Sequence, residues 1–292
     1  MRKIFSVKLS AFAMTALLGA SILLTGCSSD SSDSSSTAGG SLSGTVSIIG
    51  STSVGPLAQD LADSFSADNS DVNIEIQQIG STEGIKAIHD GTTDIGTSSR
   101  ELNEEEKTWG LDEHIIAYDG IAVIVNPSNG IENLSSDQIT KIFKGDIKNW
   151  KEVSGKDKEI VLINREAGSG TRGAFEELLK LQEKQADGTK KTLISDKALV
   201  VGSNGEVKTN VSSKDNAIGY ISLGIVDKTV KALKVDNVEA TEANVKSKNY
   251  PVWRPFLMLT KGELKPEVKA FLDYIMGDKG QQMVAKDYVP VN

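Results

Sequence analysis

The chain has 292 residues, room for one large domain or two modest ones, and its 38% hydrophobic and 25% charged content supports a buried core and excludes a disordered chain. A net charge of −8 excludes nucleic acid as a partner, because binding a phosphate backbone needs a basic face. One cysteine excludes disulfides and multi-cysteine metal centres, and two histidines, His89 and His114, exclude a histidine-rich one, so no metal or cofactor is expected.

The chain opens with Arg2, Lys3 and Lys8, then runs almost wholly apolar or small from Leu9 to Leu24. That run is shorter than the ~20 residues of a membrane-spanning helix and has the shape of an export signal. It ends Leu24-Thr25-Gly26-Cys27, which resembles the lipobox of bacterial lipoproteins. The resemblance implies that residues 1–26 are removed and that Cys27 is lipidated, anchoring the protein on the extracytoplasmic face of the cell membrane. Residues 27–43 are Ser-rich, and Ser28 to Ser41 are nearly all Ser, Asp and Gly. Such a segment has too little apolar surface for a core and is expected to be a tether, spanning roughly 20 Å. Removing 1–26 takes away three bases and no acid, so 29 bases would face 40 acids.

Strand and helix signals then alternate. Thr45–Ile49 is a β-branched run ending at Gly50, and Leu57, Leu61 and Phe65 recur at helical spacing. Val72, Ile74 and Ile76 line one face of a second strand, stopping before Gly80, and Ile85 and Ile88 mark the next helix. Asp94–Thr97, Tyr118–Asn126 and Ile160–Ile163 read as strands, with a helix over Ser136–Lys144 capped by Ser136 between the last two. Strands at Ala217–Ser222 and Trp253–Leu259 and helices near Pro266–Met276 and Gln281–Asp287 complete the set. The alternation predicts an α/β protein with largely parallel pairing. The acidic run Glu101 to Glu106 is expected to be a solvated helix start, and the three tryptophans to be packing residues.

Three junctions share one design, in which a strand meets glycine and then Ser or Thr at a helix start. They are Gly50-Ser51-Thr52-Ser53, Gly80-Ser81-Thr82-Glu83 and Gly168-Ser169-Gly170-Thr171. A helix N-terminus presents unpaired N–H groups and partial positive charge, so it attracts anions. The same residues also suit plain helix capping. Arg165, three residues before the third turn, supplies a guanidinium fork suited to two oxygens. Residues 168–173 match G-x-G-x-x-G but lack the acidic residue that a dinucleotide site requires. No G-x-S-x-G elbow, phosphate-cradling P-loop or metal-ligand spacing is present, so no enzyme activity is expected.

These turns occur in order with Asp94-Ile95-Gly96-Thr97-Ser98-Ser99-Arg100 and Asp119-Gly120-Ile121-Ala122-Val123-Ile124-Val125-Asn126-Pro127. Over roughly residues 45–290 the combination resembles the phosphate-binding lipoprotein of the bacterial high-affinity phosphate ABC transporter. The resemblance implies a two-lobed periplasmic-binding-protein fold of type II. Each lobe would be a mixed sheet flanked by helices, joined by a two-crossover hinge. Lobe one would be 44–123 plus 256–292 and lobe two 124–255. The function implied is capture of inorganic phosphate by a monomer that delivers it to the permease and ATPase subunits of the transporter. Another tetrahedral oxyanion such as sulfate or molybdate, or a surface phosphatase or sensor, is the alternative.

Carried over by position, Thr52, Ser81, Arg165, Ser169, Gly170 and Thr171 match phosphate ligands, with Ser53 and Thr82 as neighbours able to join them. Ser99 stands where relatives carry an aspartate that accepts the phosphate proton, and Ala167 where they carry an acid two residues after the arginine. An alternative acceptor is therefore expected, Asp119 first, then Glu83 and Glu166.

Overall fold

The computed structural model describes residues 42–186 and 189–292. The export signal, Cys27 and most of the tether lie outside the described residues. From the first half of the chain come β1 (Gly44–Gly50), α1 (Gly55–Asp68), β2 (Val72–Gln78), α2 (Ser81–His89), β3 (Ile95–Ser98), β4 (Asp112–Val125), β5 (Asn133–Leu134) and α3 (Ser136–Lys144). The middle supplies β6 (Val161–Arg165), α4 (Gly170–Leu178), β7 (Gln182–Lys184), β8 (Lys190–Thr192), β9 (Leu199–Val201), α5 (Asn204–Ser213) and β10 (Ala217–Ser222). Then follow β11 (Lys231–Ala232), β12 (Lys234–Val235), α6 (Glu242–Lys246), β13 (Trp253–Thr260), α7 (Pro266–Met276) and α8 (Asp278–Val284).

The main sheet has the order β2-β1-β3-β13-β4-β10-β6-β9, with β11 added on β4. Pairing is parallel at β1/β2, β1/β3, β6/β10 and β6/β9, and antiparallel wherever β4 or β13 takes part. The sheet is thus mixed rather than largely parallel, because these two long strands run through its middle against their neighbours. β4 starts six residues before the apolar run that marks it in the sequence, at Asp112. Its first part, Asp112 to Gly120, pairs with β13, and its second, Ile121 to Val125, pairs with β10.

Two main cores lie on either side of this handover. The first gathers Val46, Ile48, Leu57, Leu61, Phe65, Ile116, Phe256, Met258 and Phe271. The second gathers Ile121 to Val125, Ile139, Phe143, Ile163, Phe175, Val207, Tyr220, Tyr250 and Val252. The cores change over on β4 between Ala117 and Ile121, and near the start of β13 between Val252 and Phe256. Leu257 and Leu259, on the opposite face of β13 from Phe256 and Met258, pack with Ile85 and Ile88 of α2.

Three local expectations change. α3 is capped by Ser135, not Ser136: its hydroxyl accepts the Gln138 N–H at 3.1 Å, and the Gln138 side chain returns a bond to the Ser135 N–H, a reciprocal pair that Ser136 is one position too late to make. The last helix ends at Val284 instead of Asp287. The acidic run ends in a 3₁₀ turn over Glu106–Trp109, and Glu106 is buried rather than solvated because Arg100 meets both of its oxygens, at 2.6 and 2.8 Å. The tryptophans do pack, Trp150 in the second core and Trp109 stacked on His89.

Candidate functional site

At neither of the first two junctions does the residue just before the helix cap it with a side chain, although Ser51 Oγ accepts the N–H groups of Ser53 and Val54 in the turn that leads into α1. α1 begins after Val54 with no side-chain cap, which leaves Ser51, Thr52 and Ser53 in the turn before it. Gly80 precedes α2 at a φ of 125°, a conformation that favours glycine, and Ser81 opens the helix without capping it. Ser169 does cap α4, accepting the Arg172 N–H at 3.2 Å. For that serine the capping reading holds, while the N–H groups of Gly170 and Thr171 at the start of α4 have no helical carbonyl before them to meet.

The fold then brings the three turns together. Ser53 Oγ lies 2.7 Å from Thr171 Oγ1, joining the start of α1 to the first turn of α4. Ser81 Oγ accepts the Ser99 N–H at 3.1 Å and lies 3.4 Å from Ser99 Oγ. The Thr82 N–H donates to the Gly168 carbonyl at 3.1 Å, tying α2 to the turn before α4. At Gly170 a Cβ would stand 2.2 Å from Ser81 Oγ and 2.8 Å from Ser99 Oγ, so only glycine allows this approach. Ser53, Ser81, Ser99, Arg165, Ser169 and Thr171 are all buried.

Arg165, the last residue of β6, is 1% exposed. Its Nε and Nη2 donate to Glu166 at 3.1 and 2.9 Å, and Nη2 also reaches the Gly202 carbonyl at 2.9 Å and Thr52 Oγ1 at 3.2 Å. Nη1 is buried with no partner among the described residues. An acid thus pairs with Arg165 from the next position in the chain, Glu166, and not from that of Ala167. Its side chain is 31% exposed, so solvent screens its charge more than that of the arginine. What remains is a buried cation with one uncommitted donor among clustered hydroxyls, an arrangement suited to a compact polyoxygen anion.

Two candidates are placed differently. Asp119 is not brought into the cluster. It is the cross-strand neighbour of Arg254 in the β4–β13 pairing and accepts from its Nη2 at 3.0 Å, while Arg254 Nη1 donates to the Ser99 carbonyl at 3.2 Å. Burial pushes the Asp119 carboxyl up, opposed by the charge of Arg254, and pushes Arg254 down. The pair stands behind Ser99, whose carbonyl Arg254 holds, and Asp119, expected as the ligand's proton acceptor, is placed as the partner of Arg254. Thr82 uses its N–H on Gly168, and its hydroxyl accepts from Arg100 at 3.3 Å, so it bridges elements at the edge of the cluster.

Sequence reasoning missed Asn204, and placed Ser51 in the first turn without counting it among the ligands. Gly202-Ser203-Asn204 follows β9 and opens α5, a fourth junction of the same design that the three-residue strand before it disguises. Asn204 Nδ2 donates to Thr52 Oγ1 at 3.1 Å and Ser53 Oγ at 2.9 Å. Ser51 Oγ donates to Ser99 Oγ at 2.9 Å while accepting the N–H groups of Ser53 and Val54. Among the described residues, no group of three or more His, Cys, Asp or Glu could hold a metal ion.

Two α/β cores joined by a pair of crossing strands, with helix N-termini from both meeting at a buried polar cluster, define a substrate-binding protein of the periplasmic type. Residues 35–279 match the PBP superfamily domain. The chain is 35% identical over 254 residues to the phosphate-binding protein PstS of Bacillus subtilis, covering 85% of this chain and 81% of that one. A substrate-binding protein from Clostridium perfringens, assigned to phosphate ABC transport and solved with bound phosphate, is 45% identical with a TM-score of 0.81, covering 85% and 100%. An ABC-type phosphate transport receptor from Vibrio cholerae is 35% identical with a TM-score of 0.70, covering 84% and 99%. The chain belongs to the PstS family of phosphate-binding proteins.

Proposed function

We propose that the protein captures inorganic phosphate between two lobes on the outer side of the cell membrane and hands it, chemically unchanged, to the permease and ATPase subunits of an ABC importer. The observation that carries this reading is the free, buried Nη1 of Arg165 among the hydroxyls of Thr52, Ser53, Ser81, Ser99 and Thr171. The proposed ligand set is these residues with the Ser169 hydroxyl and the N–H groups of Gly170 and Thr171, the Ser169 N–H being used on the Glu166 carbonyl. Hydrogen bonds to a charged group contribute about 1.5–3 kcal/mol each, so several together offset dehydration and reach the about −8 kcal/mol of micromolar binding. The lobes are 44–123 with 256–292, and 124–255. The changeover of the two cores supports this division, with β4 passing between them a few residues before 123.

Isothermal titration of residues 42–292, stripped of carried-over anion, with phosphate and then sulfate at pH 7 tests the reading. One-to-one phosphate binding with little sulfate heat is expected. Equal binding of both would change the cargo, and turnover of a chromogenic phosphate ester would move the protein to another class. The anchor belongs to the same proposal: Cys27→Ser should move the protein from the membrane fraction to the soluble fraction, and an unaltered distribution would count against lipidation at Cys27.

A further inference from the structure

Asn204 is 2% exposed and opens α5, which packs on the second core through Val207 and Val211. Thr52 and Ser53 precede α1, which packs on the first. The orientation of the carboxamide follows from its partners. Its Oδ1 faces the backbone N–H of Ser222 at 3.3 Å, and an N–H can only donate, so the amino group must point the other way. Both hydrogens of that amino group are used, one on Thr52 Oγ1 and one on Ser53 Oγ. Thr52 Oγ1 also accepts from Arg165 Nη2. A hydroxyl has two lone pairs and one proton. On Thr52 both lone pairs face donors, Asn204 Nδ2 and an Arg165 Nη2 hydrogen shared with Glu166 or Gly202, and the hydrogen bonding left to it is donation. On Ser53 one lone pair is filled, and the hydroxyl meets Thr171 Oγ1.

We infer that Asn204 is a specificity-determining positioning residue: by filling the acceptor site on Thr52 that Arg165 leaves open it restricts that hydroxyl to donation, and by filling one of the two on Ser53 it biases that hydroxyl the same way, so this wall of the cleft favours anion oxygens that carry no proton. The inference rests on the phosphate reading and adds to it a preference among ligand protonation states. Inorganic phosphate exchanges between its singly and doubly protonated forms near neutral pH. Such a wall favours the form with fewer protons, and affinity therefore rises with pH across that range. Without Asn204 the two hydroxyls can turn and accept, and the dependence flattens. The charged groups around the wall are Arg165 with Glu166 at the end of β6, Glu206 and Lys208 on α5, Asp227 paired with Lys208, and the Asp119–Arg254 pair behind Ser99. They are common to the variant and the unaltered protein, so comparing the two at each pH cancels their own titration.

Titration calorimetry with inorganic phosphate at pH 6 and pH 8 tests this on the intact protein and two variants. Asn204→Ala is expected to weaken binding about tenfold at pH 8 and less than about threefold at pH 6. Asn204→Asp keeps the shape and an acceptor for the Ser222 N–H, and an acid suits a helix start, so the fold is retained. Its oxygens only accept, which reverses the two hydroxyls and adds a negative charge, and binding should fall at least about a hundredfold with little change in thermal unfolding. Equal losses at both pH values for Asn204→Ala would reduce the residue to a structural role and overturn the inference. So would binding by Asn204→Asp within threefold of the unaltered protein. No phosphate binding by the unaltered protein would instead sink the functional reading beneath it.

Discussion

Arg165 is a charge held out of water with one face uncommitted, and its cost is met only if something anionic meets that face. Arg165→Ala should weaken phosphate binding at least about tenfold, the loss of a charge-assisted contact, with the fold retained because Glu166 is partly solvated. Titration calorimetry beside a thermal melt checks both halves. Ser99 occupies a neutral position against which Arg254 and Ser51 are already arranged. A carboxylate there would accept the one proton that phosphate has and sulfate lacks, while repelling sulfate. Ser99→Asp is therefore expected to widen the ratio of phosphate to sulfate affinity, and a narrowed ratio would show that Ser99 does not face the ligand.

At the scale of elements, charge pairs hold the segment between β3 and β4 in place. Burial pushes the Glu106 carboxyl up, but two bonds from Arg100 and the Asn103 N–H more than offset it and leave it below the ordinary carboxylate range. A depressed folded value means that the contribution is complete above the unfolded value and is lost as pH falls through the folded one. Glu106→Gln has no such titration. Urea midpoints measured from about pH 6 down to about pH 3 should fall more steeply for the unaltered protein than for the variant. Parallel curves would remove Glu106 from the acid limb. Arg100, which also reaches Thr82, links this segment to the rim of the cluster.

For the whole molecule the question is closure. The contacts Ser53–Thr171, Arg165–Thr52 and Asn204–Ser53 join elements of one core to elements of the other, and Thr82–Gly168 ties α2, packed on β13, to the turn before α4. Gly170 sits at the tightest of these approaches. Gly170→Ala suits a helix and should leave the unfolding midpoint close to that of the parent, while the added methyl wedges α4 away from Ser81 and Ser99. Phosphate affinity should drop at least about tenfold, and small-angle scattering should show a larger radius of gyration for the phosphate-loaded variant than for the loaded parent. An unchanged radius and affinity would mean that closure tolerates the methyl.

How much the amino-acid sequence determined depends on the range of the interaction. β10 and α7 occur over the residues predicted for them, Ala217–Ser222 and Pro266–Met276, because both are bounded by local stop and start signals such as Pro266. The three glycine–hydroxyl junctions and Arg165 are legible for the same reason, since strand, glycine and helix start are neighbours in the chain. Only the tertiary structure decided that Asp119 faces Arg254, 135 residues away, and supports Ser99 instead of reaching the cluster. It also decided that Asn204, about 150 residues from Thr52 and Ser53, donates to both of their hydroxyls. Local periodicity sets which residues form a strand, whereas register between distant strands and contact across a cleft arise only when separate elements pack, and these fix what each polar side chain can do.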